Sequence, residues 1–189
     1  WFPRATIHEI GTLHDADIVT RRAFEFFINN STSRILINVD SDALLHPDWV
    51  AFVREVLPRS DGALSLYHSA APHHPSSNCN ELTCEKKTTG ALGMVFQREV
   101  LEEALSEVHA SKTEKNDSFD WALCAHITKS GRKILVPRQS LILHFGLHGA
   151  HGDGSPHVDV DKGFNLSSLP ATTRAQVWFF MHNEFTSES

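Results

Sequence analysis

No apolar run in this chain approaches the ~18 to 20 residues that a membrane-spanning helix requires. Nor is there an excess of positive charge. The net charge is -6, which disfavours a general affinity for nucleic acid or anionic membrane. An acidic protein that handles phosphates needs local help, from a metal ion or from backbone N–H groups. Cysteine is scarce and odd in number, at Cys79, Cys84 and Cys124, which argues against a disulfide framework. Cys79 and Cys84 nevertheless share one polar loop and could pair in an oxidising compartment. No internal repeat or composition break divides the 189 residues, so one domain with a substantial core is expected. The chain opens on Trp1 rather than Met and carries no leader, so it reads as a fragment of a longer protein. Its compartment stays open between the cytosol and the secretory lumen.

What is present is an ordinary globular composition, 41% hydrophobic and 21% charged, with 13 histidines as the anomaly. Asn-x-Ser/Thr triplets begin at Asn29, Asn30, Asn116 and Asn165, a pattern that arises easily by chance in Ser-rich chains. Thr6 to Ile10 reads as a short strand. From Asp15 to Ile28, Ile18, Val19, Ala23, Phe26 and Phe27 recur at helical spacing. "RILINV" reads as a strand buried on both faces, central in an α/β sheet. Pro47 stands at a helix start, and that helix runs to Pro58.

"GALSLYH" and "TGALGMVF" are further strands, separated by a loop from Ser69 to Thr83 rich in Pro, Ser, His and Asn. The two glycines of the second strand mark a place where backbone or ligand approaches closely. Helices are expected over Arg98 to His109 and Phe119 to Lys129, the latter capped by Asp117 or Ser118 and ended by Gly131. Lys133 to Val136 and Ser140 to His144 are short strands, and a last short helix lies near Arg174 to Met181. Strands alternating with helices give an α/β class.

The chemistry begins where "RILINV" ends in Asp40-Ser41-Asp42. Ligand sites of open α/β sheets lie beyond the carboxyl ends of strands. In an extended segment, residues two apart face the same side. Paired carboxylates repel unless a cation or proton relieves them, and hard oxygen ligands of this kind suit Mg²⁺ or Mn²⁺ bridging to phosphates. A capping Asp followed by a turn Asp is the bland alternative. The exposed position between a buried strand and a Pro-started helix favours the ligand reading.

"ILINVDSDALLHPDWV" resembles the strand–Asp-x-Asp–helix core of GT-A glycosyltransferases, particularly the family-2-like group. Three further stretches resemble that family in the same order. They are "HDADIVTRRAFEFFINNS" before the motif, "TTGALGMVFQREVLEEA" on the acceptor side, and "DSFDWALCAHITKSGRKILVPRQSLILHFG" with its acidic helix and late histidine. The resemblance implies a GT-A-like fold of α/β/α layers around a mixed sheet. It also implies a nucleotide-binding unit upstream, of which this chain, with 39 residues before Asp40, is expected to lack a part.

The resemblance further implies roles. Asp42 would hold the metal at the donor diphosphate. Asp40 would face the ribose, or the metal through water, beside Ser41. His144 would complete the Mn²⁺ or Mg²⁺ site. Asp120 would be the catalytic base of an inverting transfer, with Asp117 as its competitor, because Phe119-Asp120 stands where the family commonly has two acidic residues. Phe119 and Trp121 would shed water from that base. Gly90 and Trp121 would shape the acceptor side. The partners implied are a nucleotide-sugar donor, a UDP-sugar first, and a carbohydrate or other hydroxyl acceptor.

Histidines offer a rival. His144, His148 and His151 have the H-x3-H-x2-H spacing of a Zn²⁺ site within a glycine-rich loop. His148 is read as a diphosphate contact, and His151 is left open. With Asp40 and Asp42 these histidines could instead build a metallohydrolase. A GT-A-like module that binds without catalysis is the remaining alternative. His73-His74 is read as solvent-exposed loop.

Overall fold

The computed structural model describes residues 16–40, 43–110, 118–144 and 162–176. Ser41, Asp42, Asp117 and His148 lie outside the described residues, as do His151 and the expected strand from Thr6 to Ile10. Among the described residues the helices α1 (Ala16–Asn30), α2 (Trp49–Val56), α3 (Arg98–Ala110) and α4 (Phe119–Lys129) accompany eight short strands. The strands are β1 (Ile35–Ile37), β2 (Ala43–Leu45), β3 (Ala63–Ser65), β4 (Ser76–Ser77), β5 (Thr83–Lys86), β6 (Met94–Gln97), β7 (Ile134–Pro137) and β8 (Ile142–His144). Residues 171–176 are also helical, which covers the start of the last expected helix.

Six strands form a mixed sheet in the order β1-β6-β3-β7-β5-β4, and β2 pairs with β8 in a separate two-stranded ladder. β6 is antiparallel to both β1 and β3, so those two share a direction, and β7 runs parallel to β3. The carboxyl ends of β1, β3 and β7 therefore point the same way.

Alternation along the strands builds a core on each face. Ala63, Met94, Phe96 and Ile134 face one side and pack with Phe24 and Phe27 of α1, Leu101 and Leu105 of α3, and Leu123 and Ile127 of α4. Leu64, Val95 and partly buried Leu135 face the other side, against Phe52, Val53 and Val56 of α2 and Ile142 of β8. The chain is thus an α/β protein with helices on both faces of a mixed sheet. Phe24 contributes two edge-to-face contacts, with Phe96 and Phe119 at 5.8 and 5.9 Å, which lock α1 to β6 and α4.

Arg98 fixes the turn that launches β1. Its guanidinium donates to the carbonyls of Phe27, Ile28, Ser31 and Ser33, at and just beyond the end of α1, where helical partners run out. It also lies 4.7 Å from the centre of the Phe27 ring. One side chain thereby ends a helix and aims a strand.

Several expectations are corrected. β1 is an edge strand of the described sheet, not a central one, with Ile35 43% and Val39 38% exposed. Its apolar run reads as doubly buried because hydrophobicity alone does not reveal that no described strand covers its outer edge. The Ser69–Thr83 loop contains β4 and runs straight into β5, a hairpin obscured by polar residues with little strand propensity. Ala43 to Leu45 forms β2, a strand whose local signal is no more than three apolar residues. Cys79 and Cys84 are joined in a disulfide. Ser118 occupies the α4 N-cap without capping through its side chain, which donates to Asp120 instead.

Candidate functional site

Asp40 follows β1 by three residues and is exposed at the carboxyl end of the sheet. The β1–β6 pairing extends one bond past the strand, from the Asn38 N–H to the Met94 carbonyl at 2.8 Å. The Asn38 side-chain amide then turns to the loop before β6. It donates to the Ala91 carbonyl at 2.9 Å and, at 3.4 Å, to Asp40 Oδ1.

The same Ala91 holds Asp120. Its N–H donates to Asp120 Oδ2 at 3.1 Å, while the Trp121 N–H donates to Oδ1 at 2.8 Å and the Ser118 hydroxyl donates to Oδ1 as well. Three donors leave part of the acceptor capacity of the carboxylate unused. Asp120 and Asp40 thus approach one loop from opposite ends of the chain. Gly90 sits within it, and a Cβ added there would come no closer than 3.8 Å to Asp120 Oδ2.

The water-shedding clamp expected around Asp120 is not built as foreseen. Phe119 is turned into the core against Phe24, and Trp121 is 41% exposed. Trp121 meets the rings of His73 and His74 instead, at 6.2 and 5.5 Å between centres. His74 is also corrected. It is buried, with Nδ1 2.9 Å from the Thr88 hydroxyl, and only His73 is exposed. A helical period cannot predict that a distant polar loop folds over the start of α4.

His144 is half-buried at the end of β8 with its ring against Tyr67, 6.1 Å between centres. In the β2–β8 ladder its direct partner is Ala43. Asp40 and His144 offer an oxygen and an imidazole nitrogen from neighbouring segments, donor types compatible with Mn²⁺. Among the described residues no group of three metal-ligating side chains forms, and Asp42, the third member of the expected set, lies outside them.

A Ser–His–Asp grouping missed at the sequence level involves Ser168, His46 and Asp48. His46 Nε2 meets the Ser168 hydroxyl, and Nδ1 lies 3.6 Å from the Asp48 carboxylate. Its hydrogen bonds run the wrong way for a nucleophile. The Asp48 N–H donates to Nδ1, which puts the ring proton on Nε2, and the Ser168 hydroxyl donates to the Asn165 carbonyl. This network ties residues 165–168 to the start of α2. A cleft of about 780 Å³ opens nearby, between α2, the disulfide and residues 137–141, and neither Asp40, Asp120 nor His144 lines it. No protein-family model and no curated protein matches the chain.

Proposed function

We propose that the chain is a GT-A-like, metal-dependent glycosyltransferase that moves a sugar from a nucleotide-diphosphate donor to an acceptor hydroxyl with inversion. The observation that carries this reading is the Ala91 bridge, which brings Asp40 and Asp120 to one loop at the carboxyl end of the sheet. Such a transfer needs a diphosphate side and a base side held at fixed spacing. Asp120 takes the acceptor proton as the acceptor oxygen bonds to the anomeric carbon and the bond to the diphosphate breaks. Asp40, Asp42 and His144 would hold Mn²⁺ or Mg²⁺, which when bound neutralises the leaving diphosphate. The outer edge of β1, which no described strand covers and where Ile35 and Val39 are exposed, is where a nucleotide-gripping unit would continue the sheet.

Thermal unfolding with a panel of sugar nucleotides, with and without Mn²⁺, tests the reading. A UDP-sugar at 100 times its Kd should stabilise the protein by about 2.7 kcal/mol, and only with the ion present. Tight stoichiometric Zn²⁺ with no nucleotide response would support the metallohydrolase instead. No response to any donor would leave a binding module.

A further inference from the structure

We propose that Trp121 and His73 form an aromatic shelf for a pyranose ring, which makes the acceptor a carbohydrate rather than a protein or lipid hydroxyl. This rests on the transferase reading for its place beside the base, and it identifies the substrate class of that same site.

Trp121 is the anomaly on α4. Phe119, Leu123, Cys124 and Ile127 of that helix are all buried, whereas Trp121 leaves 41% of its surface exposed. A singly exposed ring is ordinary in itself; what sets this one apart is its contact with the two loop histidines. It follows Asp120 directly, and its own N–H donates to that carboxylate at 2.8 Å. That N–H belongs to the backbone; the indole is tied to the same region through His74, which contacts Thr88, while Asp120 is held by Ala91, so the rings and the carboxylate both border the 88–91 segment.

The histidine loop lends the shelf breadth and rigidity. The His73 ring stacks on Trp121 at an interplanar angle of 21°, and the two histidine rings are 4.3 Å apart. His74 anchors the pair from below, buried and in contact with the Thr88 hydroxyl, which in turn donates to the His73 carbonyl at 3.3 Å. At the start of the loop, buried Lys86 donates to the Ser69 carbonyl at 2.6 Å. At its far end, β4 pairs with β5 beside the disulfide. The rings are thus held in place before any ligand arrives, which lowers the ordering cost of binding.

A pre-ordered ring cluster suits a sugar, which can rest against the part of the indole that the two histidines leave exposed while its hydroxyls meet the ring nitrogens at the rim. The axial C–H groups of one pyranose face lie on the indole by dispersion and against its negative π face, while hydroxyls at the ring edge remain free to meet imidazole or water. A flexible peptide or an acyl chain gains less from so narrow a support.

The test needs no donor. The full chain, with indole N–H signals resolved by ¹H–¹⁵N NMR, is titrated with disaccharides ending in glucose, galactose, N-acetylglucosamine, N-acetylgalactosamine, mannose or xylose. The expected result is a saturable shift of the Trp121 signal by at least one of them. Trp121→Ala and His73→Ala should weaken binding by about 3- to 10-fold, with Trp121→Phe restoring most of it. Circular dichroism of each variant shows whether it is folded, and His73→Ala reads the shelf without touching the helix. Silence of the Trp121 signal through the whole panel overturns the proposal, as does a sugar affinity that Trp121→Ala leaves unchanged, read by calorimetry because that variant lacks the indole probe. Sugar binding without any donor response would retain the shelf and sink the transferase reading. Donor binding without a sugar response would do the reverse.

Discussion

Asn38 and Asp120 bind the two backbone groups of a single residue. The Asn38 amide donates to the Ala91 carbonyl at 2.9 Å, and the Ala91 N–H donates to Asp120 Oδ2 at 3.1 Å. Ala91 therefore transmits any displacement of one side chain to the other. Residues sharing such a bridge couple by about 0.5–3 kcal/mol. A double-mutant cycle of Asn38→Ala and Asp120→Asn in chemical denaturation should show a coupling within that range. Strict additivity would mean that the bridge is not maintained in solution.

Asp120→Asn carries the mechanistic prediction. The amide can keep its oxygen toward the Ala91 N–H only by turning its NH₂ toward the Trp121 N–H, a donor facing a donor. A stability loss of about 1–3 kcal/mol is therefore expected alongside the catalytic one. With the folded fraction corrected for, turnover should fall about 10²–10⁴-fold while sugar-nucleotide affinity holds. Asp42→Asn should instead weaken the metal-assisted donor complex. Near-normal turnover in Asp120→Asn would pass the base role to Asp117 or to a retaining mechanism.

The two glycines ahead of β6 separate ligand space from backbone necessity. Gly93 has a φ of +73°, and a Cβ there would meet Ile142 Cδ1 at 2.5 Å, so Gly93→Ala is both strained and crowded. It should cost about 1–3 kcal/mol of stability. At Gly90 an added Cβ meets only Asp120 Oδ2, at an ordinary 3.8 Å. Gly90→Ala should leave the melting temperature almost unchanged and raise the acceptor KM. A large melting shift in Gly90→Ala would show that the space is structural.

These contrasts mark what the sequence made legible. Helical periodicity located α1 and α3 to within a few residues, because each buries a stripe such as Val100, Leu101, Ala104 and Leu105, and the polar cap and Gly131 located α4. The roles of Asp40 and Asp120 rest on family resemblance alone. The residue that joins Asn38 to Asp120, Ala91, carries no side-chain chemistry to betray it, since both bonds use its backbone. The edge position of β1, the pairing of β2 with β8 and the His73–Trp121 stack depend on contacts between distant segments. No local period encodes those contacts. The disulfide was readable as a possibility from spacing, and became definite once the β4–β5 hairpin brought its two ends together.

The disulfide closes a short loop, with a sequence separation of 5. Chain-entropy reasoning for a loop of that size gives about 2 kcal/mol. Reduction, or paired Cys79→Ser and Cys84→Ser substitutions, should lower the unfolding free energy by that amount in urea titrations. An unchanged midpoint under reducing conditions would mean that the hairpin is held by its backbone pairing alone.

His68 supplies the pH dependence. It is buried, its Nδ1–H donates to the Pro137 carbonyl at 2.6 Å, and its Nε2 has no hydrogen-bond partner among the described residues. Burial holds its imidazole below the ordinary value. The Pro137 carbonyl opposes that shift, while the positive charges of Lys86 and Lys162 reinforce it. Below the ordinary histidine pKa of about 6.5, the unfolded chain takes up a proton that the folded chain resists. The contribution of His68 is therefore complete above about pH 6.5 and is lost as pH falls from there toward the lower folded value. His68→Asn retains a donor for Pro137 without a titrating group. Denaturation midpoints between pH 5 and 8 should decline more steeply toward acid for the wild type than for His68→Asn. Comparing the two at each pH cancels the other histidines. Parallel profiles would show that His68 is not held neutral by its burial.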